Sequence, residues 1–309
     1  MKYRKLGQTG LDVSALSFGA SSLGSVFKEV DEGQAVRTVH TAVDAGINLI
    51  DVSPYYGLTK AETVLGKALL EIPRDKYYLS SKAGRYGADE FDFAPARLVK
   101  SVDESLQRLH VDYLDFLFLH DIEFRPLDAI VEESIPALER LKQQGKIRFA
   151  GISGFPMATF EKVLQQVDVD AILSYCHYSL NDNRLLELLP LLEEKQVALI
   201  NASPLSMGLL STQGPPTWHP AGAEIVEASK RAADFCHANG LNLSKLAVQY
   251  SLHNEKIPTT LVSTTKPENI LQNIAWMNEA IDLDALYEVQ KILQPIHNQT
   301  WISGLPENN

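Results

Sequence analysis

The chain has 309 residues, 45% hydrophobic and 22% charged, an ordinary globular composition that excludes a disordered or collagen-like protein. Its 28 Lys+Arg against 39 Asp+Glu leave a net charge of −11, which would repel the phosphates of nucleic acid and an anionic membrane surface. Two cysteines, Cys176 and Cys236, cannot build a disulfide framework and point to a reducing cytoplasm. The start turns polar before an apolar signal core can form, and no run of about 18 apolar residues is present to span a membrane. Asn242 and Asn298 sit in glycosylation sequons, but a capping role at a helix start is the simpler expectation for Asn242.

From the N-terminus, residues 2–6 and 11–14 flank Gly7-Gln8-Thr9-Gly10 and predict a hairpin capping one end of the fold. Short apolar runs then recur at 15–19, 48–52, 77–81, 113–119, 147–152, 171–175, 197–201 and 259–263. Nearly every position in them is apolar, as in strands buried on both faces. Between them lie amphipathic segments at 32–45, 94–109, 127–144 and 184–195, and 283–293 reads as an extra C-terminal helix. Gly46, Gly145 and Gly240 fall just past helix ends, where a left-handed residue is wanted. Eight strand–helix units predict an α/β fold, a (β/α)8 TIM barrel with an N-terminal β-hairpin cap, as a single domain over residues 1–309. An open doubly wound sheet is the alternative architecture, but no GxGxxG follows the first run, and Gly19 and Gly24 do not space as a P-loop. Residues 203–222, with four prolines, predict a long loop at the barrel mouth.

In such barrels chemistry gathers at the C-terminal strand ends. Asp51, Lys82 and His120 close the second, third and fourth apolar runs, and Tyr56 follows Asp51 closely. Taken singly, an Asp there caps a helix, a Lys snorkels to water and a His is a hydrogen-bonded core residue. Taken together, Lys and Asp compensate one another in a buried setting. An ammonium beside Tyr56 is expected to pull the phenol below its usual pKa of about 10, making it an acid/base for a carbinol or carbonyl oxygen that neutral His120 helps to hold. No metal site is expected: there is no His-Glu-x-x-His, and Cys176-His177 lacks partners at ligand spacing. Proton transfer without nucleophile or metal implies an organic cofactor that moves hydride.

DVSPYYG with Asp51 and Tyr56, LSSKAG with Lys82 and YLDFLFLHD with His120 resemble the tetrad of the aldo-keto reductase superfamily. The resemblance runs from about residue 3 to 278. ILSYCHYSLND, ASPLSMGLLSTQGPPTWHPA and LAVQYSL look nearest to its NAD-dependent aldose 1-dehydrogenases. It implies that Tyr56 is the acid/base, that Lys82 and Asp51 tune it and that His120 orients the substrate oxygen. C1 of an aldose of the L-galactose or L-fucose kind would give hydride to NAD and become a lactone. It also implies cofactor contacts at Gly19, Asp51, Ser153 and Ser174, along the mouth loop at Ser203, Pro204, Leu205 and Met207, and at Ser263, Thr264, Thr265, Lys266, Asn269, Gln272 and Asn273. The pattern departs from the superfamily at Gly154, where Asn is usual, at Ser174, where Gln is usual, and at Ala202, where many members stack an aromatic ring. Positions 263 and 269 lack the basic residues of members that bind a 2′-phosphate, leaving Lys266 alone and favouring NAD over NADP.

Tyr56, His120, Asp121 and Trp218 are the expected substrate contacts; Asp121 alternatively caps the next turn. Trp276 and Trp301 read as packing on the barrel exterior. Three other functions compete: an NADPH-dependent carbonyl or aldehyde reductase, a non-catalytic nucleotide-sensing barrel, and an aldolase-like Schiff base at Lys82. The last is disfavoured because Asp51 and Tyr56 keep the lysine charged. The sequence leaves the oligomeric state open.

Overall fold

The computed structural model describes residues 1–26 and 29–309. Strands β1 (Tyr3–Lys5) and β2 (Asp12–Ser14) form an antiparallel hairpin, with Tyr3 opposite Ser14 and Lys5 opposite Asp12. The barrel strands are β3 (Leu16–Gly19), β4 (Leu49–Asp51), β5 (Tyr78–Ala83), β6 (Leu114–Leu119), β7 (Ile147–Gly154), β8 (Ala171–Tyr175), β9 (Ala198–Ala202) and β10 (Thr259–Ser263). All pair in parallel in chain order, and β10 returns to β3 to close the barrel. This is the (β/α)8 fold expected from the alternation of apolar runs and amphipathic segments.

The helices are α1 (Glu32–Asp44), α2 (Lys60–Leu69), α3 (Pro95–Leu109), α4 (Leu127–Ala129), α5 (Ile135–Gln143), α6 (Met157–Leu164), α7 (Leu185–Lys195), α8 (Ala223–Ala238), α9 (Leu243–His253), α10 (Pro267–Asn278) and α11 (Leu283–Leu293). Their apolar stripes lie on the outward strand residues. Val39, Val64, Val102, Leu138 and Val163 share one core with Ile50, Leu79, Leu117, Ile152 and Ile172. A second cluster joins α8, α9 and α11 through Ala228, Ala232, Leu246, Val289 and Leu293. Asn242 caps α9 by accepting from Lys245 N at 3.0 Å, as its position before an apolar run suggests. Among the described residues no helix is long and apolar enough to cross a membrane.

Inside the barrel, Leu6, Leu11 and Val13 of the hairpin meet Leu49, Phe116, Phe118, Leu173, Ile200 and Leu261. The hairpin therefore plugs the bottom of the barrel with apolar side chains and leaves the opposite mouth free for polar ones. Gly7, at φ +52°, makes this possible: a β-carbon there would lie 2.8 Å from Ala198 Cα.

The expected helix 127–144 is interrupted. Residues 130–134 form a π-helical stretch between α4 and α5. Pro136 sits in the first turn of α5 and has no N–H to offer upstream, so the turn before it widens. Strand β5 also runs past its expected end to Ala83, so Lys82 lies inside the strand with its side chain turned into the barrel mouth.

Candidate active site

Three neighbouring strands assemble the polar group. Asp51 closes β4, Lys82 lies one residue from the end of β5, and His120 follows β6. The parallel register puts Asp51 opposite Ser80 and Lys82 opposite Phe118, so each site residue lies two positions past the partner of the one before and on the same face. Lys82 Nζ donates to Asp51 Oδ2 at 2.5 Å and to the Val52 carbonyl at 3.1 Å, while Ser80 Oγ donates to Asp51 Oδ1 at 2.8 Å. Both charged side chains are buried, so each is compensated by the other and by these extra bonds. Burial alone would lower Lys82, but Asp51 and Tyr56 outweigh it and hold the ammonium above its ordinary value.

The Lys82 ammonium stands 4.9 Å from the centroid of the Tyr56 ring. Its effect on Tyr56 differs from the expectation in net sign. Burial is the larger influence and pushes the phenol up to about 12, with Lys82 pulling the other way. In the protein alone the phenol is therefore neutral, and the ammonium limits the cost of its ionisation rather than ionising it outright.

The His120 ring meets Tyr56 edge-on at 5.7 Å. Ser53 Oγ accepts from the Tyr55 amide at 3.1 Å and lies 3.0 Å from His120 Nδ1. The Ser53 hydroxyl thus fixes the ring through Nδ1, and Nε2 lies 3.7 Å from Asp121 Oδ2. Burial, then the Lys82 and Arg85 charges, hold His120 well below the ordinary imidazole value, so it is neutral.

Beside this group lies a cavity of about 670 Å³, bounded by Asp51 and Tyr56 at one end and by the first turn of α10 at the other. Every residue expected at the cofactor lines it except Ser153 and Ser174. Those two are buried at the ends of β7 and β8; Ser153 Oγ donates to Leu119 O at 3.3 Å, and Ser174 Oγ has no hydrogen-bond partner among the described residues. Hydroxyls are spread along the trough, among them Ser203, Ser263, Thr264 and Thr265, and Lys266 is its one cation among the described residues. Asn269 Nδ2 donates to Thr264 Oγ1 at 3.0 Å, which pins the start of α10. A long trough rich in donors, with an orphaned buried hydroxyl near its inner end, fits an extended dinucleotide.

Several of its residues escaped sequence reasoning. Ser21 and Ser22 line the trough and hydrogen-bond with Ser263, at 3.1 Å from Ser21 Oγ and 2.7 Å from Ser22 Oγ. The hydroxyl pair between Gly19 and Gly24 was their only signal. Trp276 packs against the core between helices and strands, as expected, and also lines the trough. Trp301 likewise packs on the helix cluster of α8, α9 and α11, and in addition stacks on Phe155 at 4.7 Å and meets His219 edge-on at 5.0 Å, both beside the mouth. The C-terminal segment folds back over the strand ends, which no local pattern reveals.

The expected substrate contacts divide. Asp121 is buried and follows His120 with a left-handed φ of +55°, a strained conformation for a non-glycine residue. Arg85, also unforeseen, donates to Asp121 Oδ2 at 2.5 Å and to the Tyr55 hydroxyl at 3.1 Å. Trp218 is half exposed on the mouth loop, parallel to His219 at 6.4 Å and outside the trough.

Comparison with known proteins agrees with this geometry. Residues 15–294 match the family described as Aldo/keto reductase family. An L-galactose dehydrogenase of Arabidopsis thaliana is 51% identical, over 100% of this chain and 99% of that protein. A D-arabinose 1-dehydrogenase of Saccharomyces cerevisiae is 33% identical, over 95% of each. The holo form of an aldo-keto reductase from Bacillus halodurans superposes with a TM-score of 0.79 at 28% identity, covering 98% of both chains.

Proposed function

The chain belongs to the aldo/keto reductase family, and from that premise we propose that it oxidises an aldose at C1 to the lactone with NAD as hydride acceptor. It is an oxidoreductase of a family that uses nicotinamide cofactors. The observation that carries the reading is the buried Lys82–Asp51 pair against Tyr56, facing neutral His120 at the end of the trough. The names of the two relatives above, both sugar dehydrogenases, support an aldose of the L-galactose type as substrate.

In this reading Tyr56 Oη, once ionised, takes the proton of the anomeric hydroxyl. Lys82 stabilises the phenolate while Asp51 holds the ammonium in place, and His120 holds the same oxygen. A bound nicotinamide dinucleotide supplies the acceptor for the hydride that leaves C1. Ser153 and Ser174 would meet its nicotinamide end, and residues 203–207 and 263–273 the remainder. The preference for NAD rests on Lys266 being the one cation by the trough among the described residues, which leaves a 2′-phosphate poorly compensated. A single catalytic domain over 1–309 and a cytoplasmic location complete the proposal, the latter on two cysteines that are free and buried.

The test is a panel of aldoses with NAD and with NADP, following the absorbance of the reduced cofactor. Oxidation of L-galactose-like aldoses with higher kcat/KM for NAD is expected. Turnover confined to carbonyl reduction with NADPH would replace this reading with the reductase alternative.

A further inference from the structure

Two buried carboxyl oxygens in the segment that follows His120 lack any hydrogen-bond partner among the described residues: Asp121 Oδ1 and Glu123 Oε2. Buried polar atoms are paired in folded proteins, and an orphan costs about 1–3 kcal/mol, so two orphans two residues apart call for an explanation. Their companion oxygens are fully used. Asp121 Oδ2 takes the Arg85 guanidinium, and Glu123 Oε1 accepts from Ser303 Oγ at 2.8 Å and from the Phe155 amide at 3.2 Å. Glu123 Oε2 fills the space that a side chain at 154 would take: a β-carbon on Gly154 would come within 2.8 Å of it. Gly154 ends β7 at the mouth, beside the β6 end that carries His120 and Asp121.

We propose that Asp121 and Glu123 together form a hydroxyl-reading subsite, in which Asp121 Oδ1 accepts from, and Glu123 Oε2–H donates to, a hydroxyl of the substrate away from the carbon being oxidised. This rests on the reading that an aldose is the substrate, and it makes Glu123 a specificity-determining residue.

The division of roles follows from the neighbours. Burial holds Asp121 above the ordinary carboxylate value, but the Arg85 guanidinium bonded to its Oδ2 opposes this and favours the ionised form, a cation that Glu123 lacks; the guanidinium itself stacks 3.9 Å from the Tyr55 ring centroid. Glu123 has only neutral donors beside it, and the nearby Asp121 charge opposes a second one. Burial first, then Asp121, push its carboxyl up to about 8. One carboxylate and one carboxylic acid offer an acceptor and a donor, which is the complement of an alcohol O–H. A plain aldehyde has nothing to place there, so the subsite favours polyhydroxylated substrates.

The experiment measures kcat/KM for the aldose oxidised fastest and for its monodeoxy analogues, in the wild type, Glu123→Ala, Glu123→Gln and Ser303→Ala. Wild type should lose at least about tenfold on one analogue, because a site built for a hydroxyl rejects its absence. Glu123→Ala should lose a similar factor on the parent sugar and no longer distinguish it from that analogue. Glu123→Gln keeps a donor at that position and should retain the discrimination, as should Ser303→Ala. A uniform fall on every sugar in Glu123→Ala, or the same loss in Ser303→Ala, would assign Glu123 to holding the C-terminal segment and overturn the inference. Wild type oxidising no aldose at all would defeat the proposed function, and this inference with it.

Discussion

Tyr56 is a weak acid in a place that makes it weaker, and the charges around it decide whether it can work. With burial pushing it up to about 12, the fraction able to take a proton rises with pH across the working range. At saturating sugar, kcat for aldose oxidation should therefore rise with pH from 7 toward 10, while ionisation of Glu123 near 8 raises KM. Lys82→Met removes the ammonium that favours the phenolate and strands Asp51 in the interior. We expect kcat for oxidation to fall by about 10²-fold or more, with the rising limb displaced to higher pH and a stability loss of roughly 3–5 kcal/mol. An unchanged pH profile in that variant would remove Lys82 from the tuning of Tyr56. Glu123 yields a prediction of the opposite kind. Its pKa is raised from 4.5 to about 8 in the folded chain. Folding thus favours the protonated acid, and stability is lost as pH climbs through that window, at up to about 1.4 kcal/mol per unit. Glu123→Gln stays neutral, so its melting temperature should match wild type near pH 4.5 and exceed it by several degrees at pH 8; a constant offset would contradict the assignment. The grouping of Asp51, Lys82 and His120 was legible because each closes an apolar run, and that of Tyr56 because it follows Asp51 closely. Ser53, Arg85 and Glu123 were not, since they act by holding or facing another side chain and have no pattern of their own.

At the level of elements, the apolar runs marked all the barrel strands to within two residues, because strands buried on both faces admit few polar positions. Helix continuity was less legible: one missing N–H at Pro136 sufficed to open 130–134 into a π-helical stretch. Least legible was the C-terminal segment. Its ties to the β6 end, Leu305 N to Glu123 O at 2.9 Å and Asn308 Nδ2 to the same oxygen at 2.8 Å, join residues some 180 positions apart. No periodicity encodes such a contact, and it is what brings Trp301 to the mouth. The hairpin plug is testable by itself. Gly7→Ala would set a β-carbon against Ala198 at a positive φ, and should cost roughly 1–3 kcal/mol. The melting temperature should drop by several degrees while kcat at 25 °C stays within about twofold of wild type, since the plug is at the far end from Tyr56. A loss of turnover without loss of stability would show that the two ends are coupled.

For the whole molecule, the division of labour follows from closing the sheet. Apolar side chains and the hairpin fill the bottom and middle of the barrel, so the polar residues of β4, β5 and β6 collect at the mouth, where the loop after β9 and the start of α10 add a trough beside them. The net charge of −11 in a chain whose trough carries Lys266 as its one described cation agrees with a dinucleotide lacking the extra phosphate. The central claim is that a phenol at position 56 exchanges the proton while the trough independently holds the nucleotide. Tyr56→Phe tests it most directly, measured for steady-state aldose oxidation and, by fluorescence titration, for nucleotide affinity. The account predicts turnover lowered by about 10³-fold or more with nucleotide affinity within about threefold of wild type. A variant that still oxidises aldoses at a rate near wild type would contradict it.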